Sequence, residues 1–427
     1  MKVAFCTLGC KVNQYESQSM EQALIKRGFE CVGASEEADV YIVNSCTVTA
    51  ESDRKTRQNV RHLRKLHPDA VIVLTGCMPQ AFPEDARLLT QADIVTGNRS
   101  NKQIPDMIDE FFRTRERIVR IAQHENGEKF SGELINDFRE RTRATVKIED
   151  GCNRFCSYCV IPYARGRVRS KPLEDIREEI SSLEKKGFSE IVLVGINLSA
   201  YGTDCGASIC DAVELAASFD GIKRVRLGSL EPDHMTPDVT KRLAKCKKLC
   251  PQFHISLQSG CDKTLKRMNR HYTAAEYEEL CTRLRSEFED ATLTTDVMVG
   301  FSGETKEDFE ISRDFVRKIG FEKVHVFPYS RRTGTRAAEF PDVVENAEKE
   351  RRSREMIAAA GEVRHEFLER QIGRTVEVLF EEKLRDGSIQ GYTANYTPVR
   401  IKSGCTHGLR KVKITACGDD WCEGELI

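Results

Sequence analysis

The stretch ATVKIEDGCNRFCSYC, residues 144–159, decides the fold. Ala144–Ile148 reads as a β-strand, and Cys152, Cys156 and Cys159 follow it on a short loop. Three thiolates so spaced can take three irons of a [4Fe–4S] cluster and leave the fourth iron open. Downstream, strand-like runs recur at Ile191–Val194, Arg224–Leu227, His254–Ser256, Leu293–Val297 and Lys323–Phe327, with helical stretches between them. Strands alternating with helices in this way build a parallel β/α barrel whose site lies at the carboxyl ends of the strands. Six units are too few for a complete barrel, which needs about 250 residues, so a partial (βα)6 barrel is expected over 144–340.

Upstream the same reasoning gives a second unit. Short runs at Val3–Thr7, Val40–Asn44, Val71–Thr75 and Ile94–Thr96 alternate with predicted helices over Asn13–Arg27, Ala50–His67 and Lys102–Phe112. This predicts an N-terminal doubly wound parallel sheet domain over 1–115. Cys10, Cys46 and Cys77 each follow the carboxyl end of one of these strands by two or three residues. In a doubly wound sheet those ends lie side by side, so the three thiols converge and make a second cluster site. The polar stretch 116–143 reads as a linker, and 341–370, centred on Asn346–Arg370, as a connecting helix. The alternating runs with Gly turns over 371–427 read as a small C-terminal β-barrel.

Composition narrows the function. No run of eighteen apolar residues occurs, so no membrane span is expected. The opening MKVAFCTLGCKVNQ lacks a signal-peptide apolar core, and a cytoplasmic location is expected. In a reducing compartment, seventeen cysteines are better read as metal ligands and free thiols than as disulfides. A net charge of −1 excludes a generally basic nucleic-acid binder, so RNA contact must come from local patches. Two such patches flank the cysteine sets: Arg54, Arg57, Arg61 and Arg64 on the helix after Cys46, and Arg165, Arg167 and Arg169 after Cys159. Both are candidates for phosphate binding.

The pieces TLGCKVNQYES, NSCTVT, DGCNRFCSYCVIPYARGRVRS, GINLSAYG, FHISLQSGCDKTLKRMNR and GYTANYTPVRI together resemble the methylthiotransferase family of radical S-adenosylmethionine (SAM) enzymes. The resemblance covers essentially the whole chain, including a C-terminal TRAM domain. It is strongest to the branch acting on N6-threonylcarbamoyladenosine in tRNA. The isopentenyladenosine branch usually carries Gln-Met in place of Lys11-Val12, and the branch modifying an aspartyl residue of a ribosomal protein carries Pro-Lys. Two departures stand out: Ser302 where the family has proline in VGFPGET, and Ala394 where the branch often has Glu.

The resemblance implies two [4Fe–4S] clusters and SAM as cofactors. Cys152, Cys156 and Cys159 would hold the SAM-cleaving cluster, and Cys10, Cys46 and Cys77 the auxiliary cluster that carries sulfur. Tyr158, Gly195, Asn197 and Gln258 would approach SAM. One SAM would methylate sulfur and another would yield the 5′-deoxyadenosyl radical, so that a methylthio group reaches carbon 2 of the adenosine at tRNA position 37. The implied partners are the tRNA anticodon stem-loop and an electron donor such as flavodoxin or ferredoxin. The rival outside enzymes is an iron–sulfur redox sensor that binds RNA, which needs no SAM-cleaving loop on a barrel.

Overall fold

The computed structural model describes residues 1–132, 135, 143–402, 404 and 408–427. Its N-terminal sheet has six parallel strands in the order Glu30–Val32, Lys2–Thr7, Val40–Ser45, Val71–Gly76, Ile94–Thr96 and Ile118–Arg120. Successive residues of the central strands bury on opposite faces: Val40, Ile42, Val71 and Val73 on one, Tyr41, Val43, Ile72 and Leu74 on the other. Helices cover both, as unbroken apolar strands require. The edge strand Ile118–Arg120 lies in the stretch read as linker, so the sheet extends past residue 115. The run Ile118–Arg120 sits among arginines and ends in one, so it does not register as a strand in the sequence. Part of that stretch, 133–134 and 136–142, lies outside the described residues.

All six expected barrel strands form. They fall into two parallel sheets, one ordered Arg224–Leu227, Glu190–Val194, Arg143–Lys147, the other Ser229–Leu230, Gln252–Ile255, Thr292–Val299, Lys323–Pro328. A bridge between Val225 and Leu249 joins them. The partial barrel is open between Arg143–Lys147 and Lys323–Pro328. The first helix of the N-terminal domain, Lys11–Lys26, packs on Arg143–Lys147, and its Tyr15 belongs to the barrel core. The loop carrying Ser302 stays formed: Gly300 and Gly303 keep positive φ, and the Gly300 amide donates to Glu304 at 2.6 Å.

Helix Asn346–Glu369 leads into a closed five-stranded barrel, ordered Thr375–Lys383, Ile389–Thr393, Pro398–Ile401, Cys422–Leu426, Gly408–Cys417. Closure removes the exposed edges of so small a sheet. The strand Cys422–Leu426 is absent from the runs read in the sequence, because CEGEL is mostly polar. This barrel caps the amino ends of the central strands. Arg226 donates to the carbonyls of Thr393 and Ala394 at 2.9 and 2.8 Å. The Ala394 contact uses backbone alone, so the departure from Glu there leaves it intact. Among the described residues no helix is long and apolar enough to cross a membrane.

Candidate active site

The strand order of the N-terminal sheet reverses between Lys2–Thr7 and Val40–Ser45, and ligands of open α/β sheets bind at such a switch point. Cys10 caps the helix that follows the first of these strands, Cys46 follows the second, and Cys77 opens the short helix after Val71–Gly76. Gly9, at φ +111°, lets the chain approach Cys46: a Cβ there would lie 2.9 Å from Cys46 Cβ and 3.2 Å from its Sγ. Gly76, at φ +98°, has backbone of Ser45 where a Cβ would sit. The three thiols lie near one another at this edge: burial disfavours ionisation of Cys77 most, and Cys46 and Cys10 add to it.

Cys152, Cys156 and Cys159 lie on the loop after Arg143–Lys147. Gly151, at φ +87°, is packed so closely that a Cβ would lie 1.9 Å from the Arg167 carbonyl oxygen. The Cys152 amide donates to Gly166 at 3.0 Å and that of Cys159 to Cys156 at 2.9 Å. Among the described residues no three His, Cys, Asp or Glu side chains form a single-ion site. A cubane cluster makes a different demand, since each thiolate binds a separate iron and the sulfurs stand farther apart. Burial pushes the thiols of Cys77 and Cys152 up to about 12, so iron must supply the charge that makes them thiolates.

Buried guanidinium groups serve both sets. Arg165 Nε donates to Cys77 Sγ at 3.2 Å, and Arg270 Nη1 to Cys156 Sγ at 3.3 Å. Glu231 holds Arg270 at 2.5 Å. Arg165 adjoins Gly166, whose carbonyl takes the Cys152 amide, so one turn touches both cysteine sets. Arg270 closes the stretch FHISLQSGCDKTLKRMNR, but its meeting with Cys156 arises only through long-range folding, and Glu231 carried no sequence signal.

The basic patch after Cys159 needs correction. Arg165 is fully buried and paired to Glu16, and Arg169 is 6% exposed and donates to the carbonyls of Arg165 and Arg167 at 2.8 Å each. Residues enclosed in this way cannot reach an RNA phosphate. Charge spacing alone did not reveal that the run turns inward. Arg167 stays exposed, over the Phe155 ring at 4.6 Å. On the other patch, Arg54 pairs with Glu51 at 2.6 Å and Arg64 with Asp93 at 2.5 Å, whereas Arg57 and Arg61 have no ion pair among the described residues.

Of the residues expected around SAM, Asn197 lies beside Cys152 and Gly195 against Glu149. Asn197 Nδ2 lies 3.8 Å from Cys152 Sγ, and its amide donates to Glu149 at 2.7 Å. A Cβ at Gly195 would lie 2.5 Å from Glu149 Oε2. Gln258 takes φ +66°, a region disfavoured for residues with a Cβ. Its Oε1 and Glu149 Oε1 are buried without partners among the described residues, and burial holds the Glu149 carboxyl well above the ordinary range. Two orphaned acceptors suit the ammonium and hydroxyl donors of SAM. Tyr158 sets its ring edge-on to Phe301 at 6.2 Å. The residues present fit the cofactors.

Alternate side chains of the barrel strands point inward. A complete barrel fills this space with branched apolar groups. Here Arg226, His254, Thr294, Asp296 and His325 line a cavity of about 810 Å³. Cys10, Lys11 and Gly195 line its carboxyl end, while Tyr392 and Tyr396 of the C-terminal barrel close the amino end. Lys11 is accessible to this cavity. Burial lowers its pKa, as do the guanidinium groups of Arg143 and Arg226 against an opposing Glu190.

The model of the uncharacterized protein family UPF0004 matches residues 2–97, and that of the Radical SAM superfamily residues 146–316. The chain is 35% identical over 435 aligned positions to the threonylcarbamoyladenosine tRNA methylthiotransferase MtaB of Bacillus subtilis, covering 100% of this chain and 96% of that one. It is 37% identical over 425 positions to the MtaB of Thermotoga maritima, covering 99% and 96%. It is 36% identical over 399 positions to the tRNA-2-methylthio-N(6)-dimethylallyladenosine synthase of Pelotomaculum thermopropionicum, covering 91% and 88%. Among solved structures, the radical S-adenosylmethionine methyltransferase TsrM from Kitasatospora setae, with cobalamin and a [4Fe-4S] cluster bound, has a TM-score of 0.57 at 14% identity, covering 80% of this chain and 76% of that one. That likeness shows the fold alone.

Proposed function

The chain belongs to the radical SAM methylthiotransferases, enzymes that use SAM and [4Fe–4S] clusters, and from that membership we propose that it methylthiolates carbon 2 of N6-threonylcarbamoyladenosine beside the tRNA anticodon. The family reading makes it a tRNA methylthiotransferase. The choice of nucleoside rests on the cavity, because relatives named for threonylcarbamoyl and dimethylallyl substrates are almost equally similar. A dimethylallyl group is apolar and offers no hydrogen bonds to the polar lining of this lumen, which includes Arg226, His254, Thr294 and Asp296. A lining of this kind favours a substituent with its own polar groups. A threonylcarbamoyl group offers a carboxylate, a hydroxyl and a ureido unit that can pair with them.

In this reading Cys152, Cys156 and Cys159 hold the cluster that binds SAM, and Cys10, Cys46 and Cys77 hold the auxiliary cluster. Bound there, the cofactors supply one-electron chemistry and the methylthio group, which no side chain can bring to so inert a C–H bond. The side chains position them. Gly195 and Asn197 keep the approach to Cys152 open, Gln258 and Glu149 offer acceptors, and Tyr158 gives an aromatic wall. A single-stranded loop lets the target base splay into the cavity. Electrons come from a small carrier such as flavodoxin or ferredoxin.

Nucleoside mass spectrometry of tRNA from a deletion strain tests the substrate. The 2-methylthio derivative of threonylcarbamoyladenosine is expected to vanish and return on complementation. Loss of the isopentenyl derivative instead would overturn the reading. Arg57 and Arg61 supply the phosphate contact in this scheme. Reversing both to Glu is expected to weaken stem-loop binding and reduce the salt slope by about two. Equal affinity and slope in variant and wild type would make the helix face merely solvated.

A further inference from the structure

We propose that Lys11, backed by Arg226 in the barrel lumen, is a carboxylate-binding site that reads the threonyl carboxylate of the substrate. This rests on the nucleoside proposed above. The observation behind it is a cation on the cavity lining, Lys11, that has no carboxylate partner among the described residues. Arg143, Arg224 and Arg226 all lie within 4.0 Å of one carboxylate, Glu190, at 3.8, 3.8 and 2.7 Å. Arg143 has a second partner in Glu381 at 2.8 Å, and Arg224 a distant one in Glu377 at 3.8 Å. Lys11 lines the same cavity as Arg226 and has no ion pair among the described residues. Of these four cations, Lys11 is the one with no carboxylate within 4.0 Å among the described residues. Asp296, also on the cavity lining, is hydrogen-bonded to His254 at 3.2 Å and makes no ion pair with Lys11.

The position suits the chemistry. Lys11 follows Cys10 directly, so its backbone is fixed beside the auxiliary thiols while its side chain extends into the lumen. Carbon 2 and N6 flank N1 on the Watson–Crick edge of adenine. A base that presents carbon 2 to the thiols therefore keeps its N6 substituent on the same side, and the lumen beside Lys11 offers room for it. The cavity, about 810 Å³, falls within the usual range for a bound small molecule. An ammonium on a flexible stem can close on a carboxylate that enters late, whereas Arg226 is pinned by Glu190 and two carbonyls.

Two other carboxylate or anion sources exist, SAM itself and the tRNA backbone, and the experiment separates them. Stem-loops carrying threonylcarbamoyladenosine, or an analogue whose N6 group keeps the ureido and hydroxyl but lacks the carboxylate, are titrated by fluorescence anisotropy against iron-loaded wild type, Lys11→Gln and Lys11→Arg. Lys11→Gln is expected to weaken binding of the natural stem-loop about 10- to 100-fold, the span of one charge-assisted hydrogen bond. Binding of the analogue should be unchanged, and Lys11→Arg should restore most of the affinity. Equal losses on both stem-loops would assign Lys11 to the RNA backbone and overturn the proposal. A selective loss of SAM affinity would assign it to the cofactor and overturn it too, as would no loss at all. Wild type that binds both stem-loops alike but methylthiolates the natural one would sink the carboxylate site alone. Wild type that methylthiolates only a dimethylallyl stem-loop would sink the nucleoside reading with it.

Discussion

Replacing Cys10, Cys46 and Cys77 together by alanine is expected to abolish methylthiolated nucleoside while SAM is still cleaved to 5′-deoxyadenosine. The iron content should fall to about half. Cys152, Cys156 and Cys159 stand on another domain and are held by their own contacts, the Gly166 carbonyl and the Arg270 guanidinium. Their alanine variants should lose both products, because the open iron that SAM needs depends on those thiolates. Metal binding and folding are coupled, so an empty auxiliary site could loosen the N-terminal sheet. The sheet has its own two-sided core, and circular dichroism checks that it survives. A folded triple variant that still methylthiolates tRNA would make the auxiliary thiols structural. A wild type that holds only four irons would remove the second cluster altogether.

Both cysteine sets were legible before the structure because each obeys a local rule. A ligand just past a parallel strand must lie at the carboxyl edge, whatever the rest of the chain does. The same rule places Gly195 and Asn197 beside Cys152. What the sequence hid depends on side-chain direction and distance along the chain. Arg165 and Arg57 look alike as letters, yet one is fully buried and the other borders solvent. The turn after Ile161–Arg165 carries the guanidinium inward toward Glu16, a residue of the first helix. The polar lumen was equally hidden. Thr294 and Asp296 sit in a run read simply as strand, and their alternation becomes meaningful only once the missing barrel units leave the interior unfilled. The edge strand Ile118–Arg120 and the barrel strand Cys422–Leu426 escaped because pairing with neighbours, rather than their own composition, makes them strands.

The second large effect is expected at Arg165. Three cations, Lys147, Arg165 and Arg169, lie buried with two carboxylates, Glu16 and Asp150, between the N-terminal domain and the barrel. Lys147 bonds Glu16 at 2.8 Å and Asp150 at 2.6 Å, and Arg165 takes Glu16 through both nitrogens. Burial alone would raise the Glu16 pKa, but Arg165 and Lys147 outweigh it and hold the carboxyl low. The surplus positive charge points at Cys77, so the group is balanced when that sulfur is a thiolate. Arg165→Met removes one member of a buried ionic network and strands the others. Such losses cost about 3–5 kcal/mol, a large part of a domain's stability. The variant should therefore unfold at lower denaturant concentration and load less iron at its auxiliary site. Any auxiliary cluster it retains should reduce at lower potential, having lost both a nearby positive charge and a hydrogen bond to sulfur. Arg165→Lys keeps the charge without the forked geometry and should fall between the two. Chemical denaturation gives the stability, and a redox titration followed by electron paramagnetic resonance gives the potential. An Arg165→Met protein with wild-type stability, iron content and auxiliary potential would show that the network neither joins the domains nor tunes the sulfur.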